Sequence, residues 1–228
     1  MLLVPTLSLP SEAASLADAV ASAVRDGIAT GELVPETTYS VYQVASLLGV
    51  SRSPVREGML RLAEAGLVEI MRNRGFRVLR PRARDVEEIV EIRLALEPAA
   101  ARKAALLGTE AQHAAVREAL DEMTAAAARD DEALFWPADR NLHDLLLRAA
   151  GNTRAAAIVA QLRAATALLG PPTTASGRTL PEILAEHEPV VTAVLSRAGA
   201  VAEAAMRGHL EATGALLVAN LAAGVRRR

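Results

Sequence analysis

Four histidines occur in 228 residues and there is no cysteine, so any metal or acid–base chemistry has to run through imidazole and carboxylate. Asp139 and His143 in "ADRNLHDLL" stand four residues apart and can share one helix face. His187 in "AEHEPVV" and His209 in "MRGHLEA" lie on later segments, at a separation that suits an antiparallel pair of helices bringing them level. Three imidazoles and one carboxylate form a donor set for Zn, Ni or another first-row divalent ion. The same residues also suit a plainer role as core or interface histidines bonded to their neighbours, and spacing alone leaves both readings open. His113 has no partner at useful spacing and reads as a surface or otherwise satisfied residue.

A second group of residues points to a different chemistry. In "GVSRSPVREGMLRLAEAGLVEI", Arg52 and Arg56 stand one helical turn apart beside Ser51 and Ser53. Arginine grips a guanine edge or a phosphate with two hydrogen bonds, and small hydroxyls with helix N-terminal amides suit phosphate oxygens. A few residues on, Arg72, Arg74 and Arg77 surround Gly75, which would let a loop tip approach a nucleic-acid backbone closely. Net charge is only -2, but from Ser51 to Arg84 there are 9 arginines against 3 glutamates. That segment is a local basic footprint on an otherwise acidic chain.

These groups need elements to hold them. Apolar residues make up 51% of the chain and aromatics 2%, so the core must be packed by Ala, Leu and Val, as closely approaching helices are. Apolar periodicity after Ser11 predicts a first helix stopped at Gly31, and "VYQVASLLG" a short second one closed by Gly49. With Ser51 as N-cap and Pro54 in the first turn, Val55, Met59, Leu62 and Ala63 form the buried stripe of a third helix ending near Gly66. "LVEIMRNRGFRVLRP" reads as a hairpin about an Arg-Asn-Arg-Gly turn. Helix, helix, helix, hairpin is the order of a winged helix-turn-helix, and Arg52 and Arg56 fall at the end of the helix that enters the major groove. From there the chain predicts six helices, over 84–107, 109–129, 131–150, 152–169, 179–197 and 199–222, with short links that imply an antiparallel bundle. The fold class expected is mainly α: a winged helix-turn-helix over 11–80 followed by an all-helical bundle over 84–222.

The run "LLGVSRSPVREGMLRLAEAGLVEIMRNRGFRV" resembles the DNA-binding domain of the GntR family of bacterial transcription regulators. By that resemblance Ser51, Arg52, Ser53, Arg56, Arg72, Arg74 and Gly75 are expected to contact double-stranded DNA. Gly58 departs from the family's usual Ala, at an expected cost of about 1 kcal/mol of helix stability. "YSVYQVA" lacks the acidic residue common in the second helix. Residues 85–222 resemble the ligand-binding FCD domain of the FadR-like subgroup, through "EIRLALEPAAARKAA", "DRNLHDLLLRAAGN" and "EHEPVVTAVLSRAGAVAEAAMRGHL". The resemblance implies metal ligands at Asp139, His143, His187 and His209, and a small carboxylate effector reaching Arg93. It also implies a homodimer, most commonly a repressor released by its effector. Physically, Arg93 equally suits an ion pair with Glu97 one turn on, and Arg140, Arg148 and Arg163 are further arginines within reach of such a pocket.

Other classes fit less well. A metal-dependent hydrolase would leave the basic head without purpose, so no catalytic residue is expected and the chain is not read as an enzyme. A metal-free bundle for an acyl-type ligand would leave the histidine set unexplained. The opening "MLLVPTLSLP" lacks a basic n-region, and no stretch approaches the roughly 20 apolar residues of a membrane span, so the expected location is the cytoplasm.

Overall fold

The computed structural model describes residues 7–9, 15–64, 66–79, 82–169 and 173–226. The chain divides into two compact units, one of residues 1–85 with 165–170 and one of residues 86–164 with 171–228.

The first unit runs α1 (Leu16–Thr30), β1 (Thr38–Tyr39), α2 (Val41–Leu48), α3 (Arg52–Glu64), β2 (Val68–Met71) and β3 (Gly75–Val78). Each helix stops where its sequence says it must. Gly31 and Gly49 close α1 and α2 in the left-handed region, at φ 82° and 66°. α2 opens on a full capping box between Ser40 and Gln43. The expected start of α1 at Ser11 lies outside the described residues, and Ser15 caps the helix by accepting from the Asp18 amide. The hairpin turns over residues 72–74, with Asn73 at φ 60°, a conformation Asn tolerates well. β3 lies between β2 and β1 in an antiparallel sheet, with Tyr39 opposite Phe76 and Ile70 opposite Phe76. β1 was not foreseen from the sequence. Two residues carry no readable alternation, and the strand exists because β3 offers it a free edge. Val20, Val24, Leu33, Val44, Val55, Met59, Leu62, Leu67, Phe76 and Val78 form the core of this unit.

Two glycines have their reason in close backbone approach. A Cβ on Gly75, whose φ is 112°, would lie 2.1 Å from the Tyr39 carbonyl oxygen. Its missing side chain therefore lets β3 meet β1, rather than admitting an outside partner. Gly58 faces α1, where a Cβ would meet the Ala17 carbonyl oxygen at 2.9 Å and the Ala21 amide at 3.2 Å. The propensity cost expected of Gly58 is offset by the seating of α3 against α1.

The second unit holds α4 (Ala83–Leu107, from Val86 on), α5 (Glu110–Ala127), α6 (Glu132–Ala149), α7 (Thr153–Leu169, to Ala164), α8 (Leu180–Leu195) and α9 (Gly199–Arg226), with a 3-10 turn at Thr173–Ser176. The six helices match the expected order, and the architecture is mainly α throughout. α5 packs on α6 and α8, and α8 on α9. The core is Phe135, Met123, Leu142, Leu146, Leu180, Val190, Val194, Met206 and Leu210, filled in by Ala101, Ala104, Ala105, Ala119 and Ala126. Capping boxes at Thr109 with Gln112 and Thr179 with Glu182 fix the starts of α5 and α8. Asn152 accepts from the Ala155 amide at 3.0 Å at the start of α7, the capping role its position after Gly151 suggested. α4, α6 and α8 each carry an internal proline, Pro98, Pro137 and Pro189. Each gives up a helical hydrogen bond within two residues of a buried polar side chain described below.

Gly58→Ala is expected to destabilise the protein by about 1 kcal/mol. A gain of about 1 kcal/mol in helix propensity is outweighed by overpacking of roughly 1–3 kcal/mol against a backbone that has no flexible end to move. Urea unfolding of parent and variant measures the sign.

Candidate functional site

In the first unit a groove of about 580 Å³ runs between the starts of α2 and α3 and the hairpin. Arg52 and Arg56 stand on one wall and Arg72 and Arg74 on the other. All four are exposed, and none makes a side-chain hydrogen bond or ion pair among the described residues. Their neighbours differ in this respect. Arg61 is held by Asp18 and Glu57, and Arg77 by Glu69 at 2.5 Å and Glu36 at 3.8 Å. Glu57 is thus engaged by Arg61 and does not neutralise Arg52 or Arg56. Arg77, expected among the arms of the hairpin, is instead an ion-paired member of the sheet. Ser51 and Ser53 are exposed at the start of α3, while Gly75 is half-buried in the groove wall. Four unpaired guanidiniums facing one channel, beside a helix N-terminus, make a surface for a polyanion.

In the second unit the bundle centre holds a buried polar cluster. Asp139, His143, His187 and His209, from α6, α8 and α9, are all between 1% and 6% exposed. One ring nitrogen of each histidine lies within 4.8 Å of the others. Each Nδ1 is engaged away from the centre. His187 donates to the Ile183 carbonyl at 2.9 Å, His209 to the Glu186 carboxylate at 3.0 Å, and His143 to the Glu97 carboxylate. Those bonds fix the tautomers and leave the three Nε2 lone pairs pointing inward. There the His187 Nε2 stands 3.0 Å from an Asp139 oxygen and 3.4 Å from the His143 Nε2, with the same Asp139 oxygen 3.8 Å from the latter.

Acceptors that converge in this way repel unless a positive centre lies among them. A single proton satisfies only one pair. Burial drives the imidazoles of His143 and His209 down to about 3 and about 4, so neither supplies a second proton near neutrality. The three imidazoles therefore suit a divalent transition metal by donor type, with the Asp139 carboxylate beside His187 and His143 but held by Arg163 and outside the three-histidine group.

Buried charge surrounds the cluster. Burial would raise the Glu97 carboxyl, but Arg93 and His143 outweigh it and hold it well below the usual range. Glu97 bridges the two, accepting from Arg93 Nε at 2.6 Å. Burial likewise opposes ionisation of Asp139, and the Arg163 guanidinium beside it overcomes that cost. Arg178 pairs with the outer oxygen of Glu186. Arg93 NH2 and Arg163 Nε are buried with no acceptor. A small cavity of about 50 Å³ opens beside His143 and Arg163, with Arg140 and Asp144 at its edge.

Two family models match the chain: "Bacterial regulatory proteins, gntR family" over residues 16–78, and the FCD domain over residues 88–212. The chain belongs to the GntR family. Within that family it is 34% identical over 203 residues to the "Probable D-xylose utilization operon transcriptional repressor" of Paenarthrobacter nicotinovorans, covering 85% of this chain and 86% of the relative. It is 31% identical over 179 residues to the HTH-type transcriptional repressor RspR of Escherichia coli K12, covering 78% of each. Among solved structures, E. coli McbR/YncC shares the fold at a TM-score of 0.66 and 20% identity, over 90% of this chain and 98% of that one. These relatives mark this GntR-family chain as a transcription regulator.

Of the residues singled out in sequence, the structure gathers Asp139, His143, His187 and His209 into one cluster and Arg52, Arg56, Arg72 and Arg74 into one groove. It takes Gly75 and Arg77 into the sheet. His113 is a buried, satisfied residue, bonded through Nε2 to the Ala104 carbonyl at 2.9 Å. Arg93 does pair with Glu97, in the buried centre and not on the helix surface. Arg148 is tied to Asp144 on the outside, whereas Arg163 reaches Asp139. Sequence reading missed Glu97 and Glu186 as partners of the histidines. Glu97 is adjacent to Pro98 and on the same helix as Arg93, but nothing in the chain announces that it lies against His143, 46 residues away.

Two outcomes follow for the metal-free protein. Glu97→Ala strands Arg93 and removes the acceptor of His143, and is expected to lower stability by about 3–5 kcal/mol in thermal or denaturant unfolding. His143 and His209 have lowered folded pKa values, so between about pH 6.5 and 4 the unfolded chain binds more protons than the folded one. The unfolding temperature should therefore fall as pH drops through that window, and less steeply in His209→Asn.

Proposed function

We propose that the chain is an effector-responsive DNA-binding repressor, acting in the cytoplasm as a homodimer on a palindromic operator. Residues 11–80 form its operator-binding domain and 84–222 its effector-binding and dimerisation domain. Ser51, Arg52, Ser53 and Arg56 meet the major groove, and Arg72, Arg74 and the loop ending at Gly75 meet the adjacent backbone. Asp139, His143, His187 and His209 hold a divalent transition metal, Zn or Ni by donor type. The convergence of three inward imidazole lone pairs on a buried carboxylate carries this part of the reading.

A bound metal supplies a cationic point of attachment for an anionic ligand. The rest is done by this chain's side chains. Glu97, Glu186 and the Ile183 carbonyl orient the imidazoles. Arg93 offers its unpartnered NH2 to the carboxylate of a small organic acid. A coupling of about 1–3 kcal/mol between effector and operator sites would change DNA affinity roughly 5- to 150-fold. Among the described residues, no helix is long and apolar enough to cross a membrane.

Elemental analysis of untagged, chelator-free protein tests the metal site. About one transition metal per chain is expected in the parent and none in the His143→Ala, His187→Ala double variant. No metal in either, after zinc and nickel are supplied, would remove the ligand assignment. On the DNA side, Arg52→Ala and Arg56→Ala should each weaken operator binding by at least tenfold in a gel-shift titration, while Arg77→Ala changes it little.

A further inference from the structure

Tyr42 stands apart from the other aromatic side chains. Tyr39 stacks on Phe76 at 6.1 Å and Phe135 meets Trp136 edge-on at 5.4 Å, whereas Tyr42 has no ring partner and no hydrogen bond among the described residues. It is 70% exposed, the most exposed large apolar side chain described. A tyrosine so placed contributes little to the core, so its reason has to be sought outside.

Its surroundings say what lies there. Tyr42 is the second residue of α2 and lines the groove with Arg52, Arg56, Arg72 and Arg74. Leu60 and Ile70, exposed by 55% and 46%, line the same groove. Unpaired guanidiniums and unburied apolar side chains are thus interleaved on one surface. The guanidiniums commit the occupant to a polyanion, here the operator, so the inference rests on the DNA-binding role of this unit. The start of α2 is locked by the Ser40–Gln43 capping box, so Tyr42 projects from a fixed backbone.

On the base edges of the major groove, the apolar group on display is the 5-methyl of thymine. We propose that Tyr42 is a specificity-determining residue: its ring packs on a thymine methyl in each operator half-site while its hydroxyl reaches a phosphate oxygen. The arginines then supply affinity and guanine contacts, and Tyr42 adds a demand for thymine at one position that no charged residue could impose.

The test begins by selecting an operator from randomised duplexes with the full-length parent protein. Each thymine of that operator is then replaced singly by deoxyuridine, which removes only the methyl group. Binding is measured for the parent, Tyr42→Phe and Tyr42→Ala, with thermal melts confirming that all three fold alike. In the parent, one deoxyuridine position per half-site is expected to weaken binding about fourfold, the value of one buried methyl. Tyr42→Phe keeps that sensitivity and Tyr42→Ala loses it. The salt dependence of Tyr42→Ala should match the parent's, because no charge has been removed, whereas Arg52→Ala should lower its slope by about one. A parent indifferent to every methyl, or a Tyr42→Ala variant as sensitive as the parent, overturns the assignment. A parent that selects no duplex overturns the DNA-binding reading and the role of Tyr42 with it.

Discussion

The buried carboxylate of Glu97 is the constraint on which the second unit turns. It lies 2% exposed in a bundle core otherwise made of alanine and branched aliphatic side chains. Such a charge is tolerated only when it is fully engaged, and Glu97 is engaged on both oxygens, by Arg93 on its own helix and by His143 on α6. Holding His143 by its Nδ1 turns the other nitrogen inward. Glu186 and the Ile183 carbonyl do the same for His209 and His187. The outer ring of acceptors thereby creates the inner ring of lone pairs, and the centre acquires its chemistry from groups that are not themselves ligands.

The first unit solves the opposite problem. Arg52, Arg56, Arg72 and Arg74, unpaired among the described residues, must remain so although the unit also carries acids. Four of those acids are occupied elsewhere: Asp18 and Glu57 by Arg61, Glu36 and Glu69 by Arg77. Each of these pairs is half-exposed and adds little stability by itself. Their effect is on the distribution of charge, because a carboxylate already held by one arginine is not available to neutralise another. Close seating of α3 on α1 through Gly58, and of β3 on β1 through Gly75, keeps the two walls of the groove in fixed positions.

Much of this was legible in the chain. The order of helices and hairpin followed from apolar periodicity and capping residues, which are local and therefore readable along the sequence. The histidine cluster was visible because histidine is rare here and Asp139 and His143 share a helical face. β1 was not legible, since two residues have no pattern of their own. Neither was the true role of Gly58, since its value lies in a contact with Ala17 that propensity cannot register.

The sequence by itself determined the helical composition, the place of the basic segment and the identity of the four residues in the buried cluster. Only the tertiary structure decided which arginines are free and which are neutralised, which way each imidazole faces, and that Glu97 and Glu186 set those orientations. The reason is one of range. Periodicity and capping act over three or four residues, whereas the pairing of Glu97 with His143, of Arg163 with Asp139 and of Glu186 with His209 joins different helices. Such pairs are fixed only when the helices have packed and excluded water.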